Sequence, residues 1–271
     1  MITIIENKKG INLKERFKEL IDFRELLWTL AYRDFKVKYS QTLLGGLWAI
    51  IEPLATAILL SIVFNKIAKA NTYNINPILF GLSGMIVWNY FSNVISQGSN
   101  SLILAQNMIK KIYFPRILIP ASKAIAAIPD LIIALVFTIL FYFIYYHDYT
   151  WNILLLPVFI LLAILSALGI GILFSAMNIR YRDFQHIVPF LTRIGLFITP
   201  IAYSVSDVPE NYKWLFFINP MTGVIEGMRW CFFNINVDII YFSISLAVNL
   251  LLLIFGFYYF NKMEKNIADI I

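Results

Sequence analysis

The sequence predicts an all-α, polytopic membrane protein with six transmembrane helices, an amphipathic interface helix ahead of them, and two short re-entrant helices between the fifth and sixth spans. Three observations predict it. Of the 271 residues, 60% are hydrophobic and only 14% charged, whereas a soluble domain has roughly 45–50% apolar and about 25% charged residues. The apolar residues fall in blocks of about 20, the length a helix needs to cross a hydrocarbon core. The basic residues gather between alternate blocks, as positive charge retained on one side of a membrane does. Charges scattered in this way do not form a nucleic-acid surface, so no nucleic-acid partner is expected. The single cysteine, Cys231, excludes an internal disulfide and a cysteine-rich metal site. His147 has no companion at metal-ligand spacing, and no metal is expected. The first forty residues are rich in charge and lack an uninterrupted apolar core, so no cleavable signal peptide is expected.

Residues 1–42 form a charged lead followed by a periodic segment. From Phe23, the residues Leu26, Leu27, Leu30 and Ala31 recur at helical spacing, and Trp28, Tyr32, Phe35 and Tyr39 make a second, aromatic ridge. Arg33, Asp34, Lys36 and Lys38 lie mostly on the remaining surface, and such a helix is suited to lying in a membrane interface. The first span, Leu43–Phe64, is interrupted by Glu52 and Pro53. A carboxyl group at that depth should face protein or water. The second span is Ile78–Ile95.

Between the second and third spans lies the segment Gln106–Arg116, carrying Asn107, Met108, Ile109, Lys110, Lys111, Ile112, Tyr113, Phe114 and Pro115. Its three cations would each cost roughly 2.5–3.5 kcal/mol in hydrocarbon, so it must sit in water or headgroups. Pro115 disfavours helix at Phe114 and ends any helix running into it. A short basic elbow results. On spacing alone it is either a topogenic loop or a handle for a soluble partner.

The third span, Ile117–Tyr146, is longer than a bilayer core requires and should tilt or kink at Pro120 and Pro129. Lys123 can snorkel, and a link between it and Asp130, seven residues on, through water or a neighbouring helix is open to it. In the fourth span, Ile153–Ala176, small residues at Ala163, Ala167 and Gly171 predict close helix packing. Asn178–His186, with Tyr181, Arg182 and Asp183, is a second basic turn. The fifth span, Ile187–Tyr203, contains Arg193 near mid-membrane and Pro200 at its end; a structural partner in Glu52 or Asp130, with Glu52 favoured, or an aqueous channel would compensate that charge. Residues 204–238 are too apolar for an aqueous loop and too broken for a span, and Asn219, Pro220, Glu226 and Arg229 mark the predicted re-entrant region. The sixth span, Ile239–Phe260, makes 43–260 the membrane domain and leaves 261–271 as a tail. By this topology, sixteen of the 22 Lys and Arg residues stand on the side of both termini, which is therefore the cytoplasmic side.

No G-x-x-x-x-G-K-[ST] loop occurs, so the chain is not expected to bind and hydrolyse a nucleotide itself. Paired carboxylates for acid–base chemistry are also lacking, and the chain reads as a transporter or scaffold rather than an enzyme. A secondary transporter or channel would show an internal repeat, and none is visible between the halves. An intramembrane enzyme of lipid-linked sugar metabolism would need converging carboxylates or histidines.

The strings RDFKVKYSQTLLGGLWAIIEPL, NMIKKIYFPRILIP, NIRYRDFQHIVPFL, TPIAYS and NPMTGVIEGMRWCFF occur in that order. In them the chain resembles, over residues 24–262, the permeases of ABC transporters that export O-antigen, capsule and teichoic acid polysaccharides. The resemblance implies a homodimer in the bacterial inner membrane, two copies of a separate ATPase that binds ATP and magnesium, and a lipid-linked glycan as cargo, with no cofactor in this chain. It implies that Asn107–Arg116 is the coupling helix, that Tyr181, Arg182 and Asp183 make a second ATPase contact, and that Phe23–Tyr39 is a gate helix at the channel entrance. Glu52 and Arg193 depart from the pattern, which commonly has a neutral residue and a glutamine there.

Overall fold

The computed structural model describes residues 19–146 and 150–270, with side chains to Glu264. The basic residues of the lead before Glu19, and His147, lie outside the described residues. Helices account for the described secondary structure: α1 (Arg24–Tyr39), α2 (Trp48–Ser61), α3 (Pro77–Leu104), α4 (Gln106–Ile109), α5 (Leu118–Ala126), α6 (Ile128–Tyr145), α7 (Leu156–Arg180), α8 (Phe184–Ile198), α9 (Glu210–Phe217), α10 (Pro220–Phe233) and α11 (Ile239–Ile270).

Among the described residues, five helical stretches are long and apolar enough to cross a membrane: Gly45–Ile67, Pro77–Leu104, Leu118–Tyr145, Trp151–Arg180 and Ile239–Glu264. The expected fifth span falls short. α8 has 15 residues, about 22 Å of helix against a core of about 30 Å. It stops because Pro200 disfavours helix at the residue before it, and Thr199 is extended, with ψ 133°.

α3 is the central element. Of its most apolar stretch 78% is buried, against 17% for the first and last spans, so those two leave most of their surface to lipid or a partner. α3 packs mainly on α7, and α7 on α11. Glycines set both approaches: a Cβ on Gly98 would meet the Gly171 Cα at 3.3 Å, and one on Gly256 the Gly169 carbonyl oxygen at 2.3 Å. Ala163 and Ala167 are fully buried. Small residues thus let backbones touch where apolar side chains have nothing to gain over lipid.

The third span does break. Pro129 has no N–H for the Ile125 carbonyl, and the helix restarts at Ile128 after Ala127. Pro120, in the first turn of α5, removes only a donor that would have had no intrahelical partner. The last helix, by contrast, runs through the expected tail to Ile270.

Between α8 and α11 the chain forms two short helices. α9 exposes Tyr212, Trp214 and Leu215. α10 is capped by the Asn219 side chain, which accepts from the Met221 N–H at 3.0 Å, carries Pro220 in its first turn, and ends on Asn234 at φ 55°. Every residue from Met221 to Arg229 is buried, and Ser245 and Asn249 of α11 hold its start by bonds to the Asn219 and Pro220 carbonyls. Single cysteines at Asp207 and Glu210, both exposed, in a Cys231→Ser protein are expected to react quickly with an impermeant thiol reagent applied outside, whereas one at Val224 stays unlabelled. Equal labelling at all three would mean an open loop.

Candidate functional site

The elbow is shorter in helix than its sequence suggests. Only Gln106–Ile109 is helical; Lys110 to Phe114 turn back, so the helix ends well before Pro115. Ile109 and Phe114 anchor it, together with Ile117, in an apolar cluster with Ile179 of α7 and Phe260 and Met263 of α11. From this base the turn raises Ile112 and Tyr113, which are 51% and 63% exposed, flanked by exposed Lys110 and Lys111. Tyr113 donates to the Glu19 carboxylate at 3.4 Å. Arg116 is clamped twice: its backbone N–H donates to Glu264 Oε1 at 3.0 Å and its guanidinium to the Glu264 carbonyl at 2.6 Å. Asn107 is exposed and Met108 half-buried.

The second turn is reduced to three exposed residues, Tyr181, Arg182 and Asp183, because α7 continues through Arg180. The Arg180 guanidinium lies 5.2 Å from the Tyr181 ring centre, and the Asp183 carbonyl accepts from the His186 and Ile187 N–H groups at 2.9 Å. Asn178 is fully buried, donating to the Ser99 carbonyl at 2.8 Å. It ties this end of α7 to α3.

α1 lies along α5, burying Leu30 and Ala31 and exposing Trp28 and Tyr32. Phe35 and Tyr39 meet edge to face at 5.2 Å. Asp34 is shared: Arg33 donates to one oxygen at 3.1 Å and Lys123 to the other at 2.5 Å. Lys38 and the Tyr39 hydroxyl both donate to Asp130. Burial, reinforced by Asp130, raises the Tyr39 phenol above its usual pKa and so keeps it a donor. Lys123 and Asp130 are therefore joined through a neighbouring helix, α1, and not directly. Each binds α1 instead, because α1 brings a carboxylate and an ammonium alongside them.

Beside this seam a cavity of about 500 Å³ opens between α1, α2, α3, α6 and α8, with Lys38, Glu52, Asp130 and Arg193 in its walls. Glu52 and Arg193 are both exposed, and the favoured Glu52–Arg193 ion pair is not formed. No described residue pairs with either, and Asp130 is taken by Lys38. Both side chains stand in the cavity wall instead.

The charge pair sequence reasoning did not assemble is Glu226–Arg229. Arg229 is fully buried, donating to Glu226 at 2.7 Å and to the Ile201 and Tyr203 carbonyls at 2.7 and 3.2 Å, with its guanidinium 3.7 Å from the Phe80 ring centre. The three-residue spacing on one helix was the available signal, but nothing local shows that the helix is buried. No group of His, Cys, Asp and Glu among the described residues could hold a metal ion.

A bundle of long apolar helices around an elbow that is buried at its base and exposed at its tip, with a polar cavity alongside, defines the membrane domain of a transporter. The ABC-2 type transporter profile matches residues 25–233, and the chain belongs to that family. It is 27% identical over 266 residues to the O-antigen export system permease protein RfbA of Klebsiella pneumoniae, covering 97% of this chain and 100% of that protein. The RfbA of Myxococcus xanthus is 25% identical over 219 residues, 80% of this chain and 84% of that one. The polysialic acid transport protein KpsM of Escherichia coli is 28% identical over 204 residues, 74% and 78% of the two chains.

Proposed function

We propose that this chain is the permease subunit of an ATP-driven exporter that carries a lipid-linked polysaccharide, of O-antigen or capsule type, from the cytoplasmic to the outer face of a bacterial inner membrane. It acts as a homodimer with two copies of a separate ATPase subunit, which binds ATP and magnesium. The observation that carries this reading is the elbow: its base is packed in the bundle by Ile109 and Phe114 while Ile112 and Tyr113 stand exposed between Lys111 and Phe114, the arrangement a docked ATPase would use. Tyr181, Arg182 and Asp183 form the second contact with the ATPase. Both termini and both turns then lie on the cytoplasmic side and α9 and α10 on the outer side, with α8 and the extended residues after it making the fifth crossing.

Residues 43–260 form the translocating unit, and 1–42 precede it with the gate helix. The cavity's mixture of charges and of Trp48 and Trp88 suits a glycan, since indole faces stack on the apolar C–H faces of sugars and polar groups bind hydroxyls. Arg193 and Glu52 face this path rather than each other.

The test is a deletion of the gene together with affinity purification of the tagged chain from membranes. The deletion strain should lose its surface polysaccharide and accumulate lipid-linked glycan inside, and the tagged chain should bring down an ATPase subunit in equal amount. Unchanged surface polysaccharide in the deletion strain would overturn the assignment.

A further inference from the structure

The two polar links between α1 and the third span fall on opposite sides of the break at Ala127. Asp34 bonds Lys123, on α5; Lys38 and Tyr39 bond Asp130, in the first turn of α6. The rest of α1 packs on α5, and its contact with α6 is slight. α5 in turn follows the elbow after one buried residue, Ile117. α5 also packs on α3 and α7 and the elbow on α7 and α11, whereas the last turn of α1 meets α6 through Lys38, Tyr39 and Asp130.

From this we infer that the end of α1 is movable against α6, and that Asp130 is the latch that holds Lys38 and Tyr39 of α1 in the position seen here. The sense of the charges supports a latch with a set register. Along α1 the order is acid then base, and along the third span base then acid. A slip of α1 by one rung would oppose Asp34 to Asp130 in one direction or Lys38 to Lys123 in the other, like against like in either case. Asp34, Lys123 and Asp130 have side chains no more than 15% exposed, whereas Lys38 is 40% exposed. The α5 rung is the more sheltered and the α6 rung the more easily opened, because water competes for an exposed ammonium. Lys38 and Asp130 also stand in the cavity wall, so releasing the latch moves the cavity mouth. α1 is then the part through which a push on the elbow reaches the cavity, and these residues are positioning residues.

The inference rests on the exporter reading, and its test separates the two. Lys38→Asp faces two carboxylates, Lys38→Arg keeps the link, and Lys38→Asp with Asp130→Lys restores it with the charges exchanged. Each is made in the full chain, purified with its ATPase, and followed by amide exchange over residues 24–39 and by glycan exported per ATP hydrolysed in proteoliposomes. Lys38→Asp is expected to speed exchange of the last turn of α1 about tenfold and to lower export per ATP about fivefold or more, the low end of a coupling free energy. ATP hydrolysis should persist. The exchanged pair and Lys38→Arg should recover both readouts. Asp130→Asn guards against a misfolded reversal and should loosen α1 without loss of protein. An exchanged pair no better than Lys38→Asp overturns the latch. Faster exchange with an unchanged export ratio overturns its role in coupling. A wild-type complex that exports nothing overturns the exporter reading instead, and exchange alone then still decides whether Asp130 holds α1.

Discussion

Replacing Ile112 by aspartate is expected to leave the chain folded and inserted while abolishing both export and the stimulation of its ATPase. Ile112 stands on the elbow tip, 51% exposed, so the change removes nothing from the core. Docking of the tip would bury it, and a buried aliphatic side chain contributes roughly 1.5–3 kcal/mol. An unpaired carboxylate in its place adds a desolvation cost, and since each 1.4 kcal/mol is about a factor of ten, binding weakens by two or more orders of magnitude. Neutralising Lys110 and Lys111 should be milder, because exposed ion pairs are worth about 0–1 kcal/mol. The measurement is co-purification of the ATPase with the variant and its stimulated hydrolysis rate. Parental hydrolysis with full export by Ile112→Asp would mean that the partner, if any, grips elsewhere.

Arg229→Ala is expected to be the most damaging single change outside the elbow. The guanidinium fork spans Glu226 and the carbonyls of Ile201 and Tyr203, so it fastens α10 to the loop that ends α8. Without it Glu226, only 6% exposed, is left as an uncompensated charge, and breaking one side of a buried pair costs about 3–5 kcal/mol. Arg229→Lys should recover little, since an ammonium cannot reach the three acceptors that a planar fork reaches together. Glu226→Gln combined with Arg229→Met should recover more, because it removes both charges. Survival of detergent-solubilised protein on size exclusion after heating reads the order. An Arg229→Ala protein as heat-stable as the parent would show that the staple is not needed.

Membrane class and helix positions were legible because a bilayer imposes a length and a composition on each span separately. The break before Ile128 and the close packing at Ala163, Ala167 and Gly171 followed from local chemistry in the same way, a missing proline N–H and small side chains at helical spacing; the cap at Asn219 did not, since Asn219 and Pro220 read there as a break. The elbow was legible as a basic segment, but its four-residue helix was not, since its end is set by Ile109 and Phe114 reaching into the cluster at the ends of α7 and α11. The resemblance to polysaccharide permeases rests on strings of residues, and the family match over residues 25–233 bears it out.

By itself, then, the sequence determined which segments are helical and apolar, where they break, and which cations stay out of hydrocarbon, because each depends on neighbours within a few turns. Only the tertiary structure decided which charges meet. Asp34 finds Lys123 across 89 residues, Lys38 finds Asp130 across 92, and Arg116 finds Glu264 across 148, whereas Arg193 and Glu52 share a cavity unpaired. An ion pair is a contact of a few ångströms between side chains, and the packing of α1 on α5 and of α11 beside the elbow sets those distances, whatever the spacing of the residues along the chain.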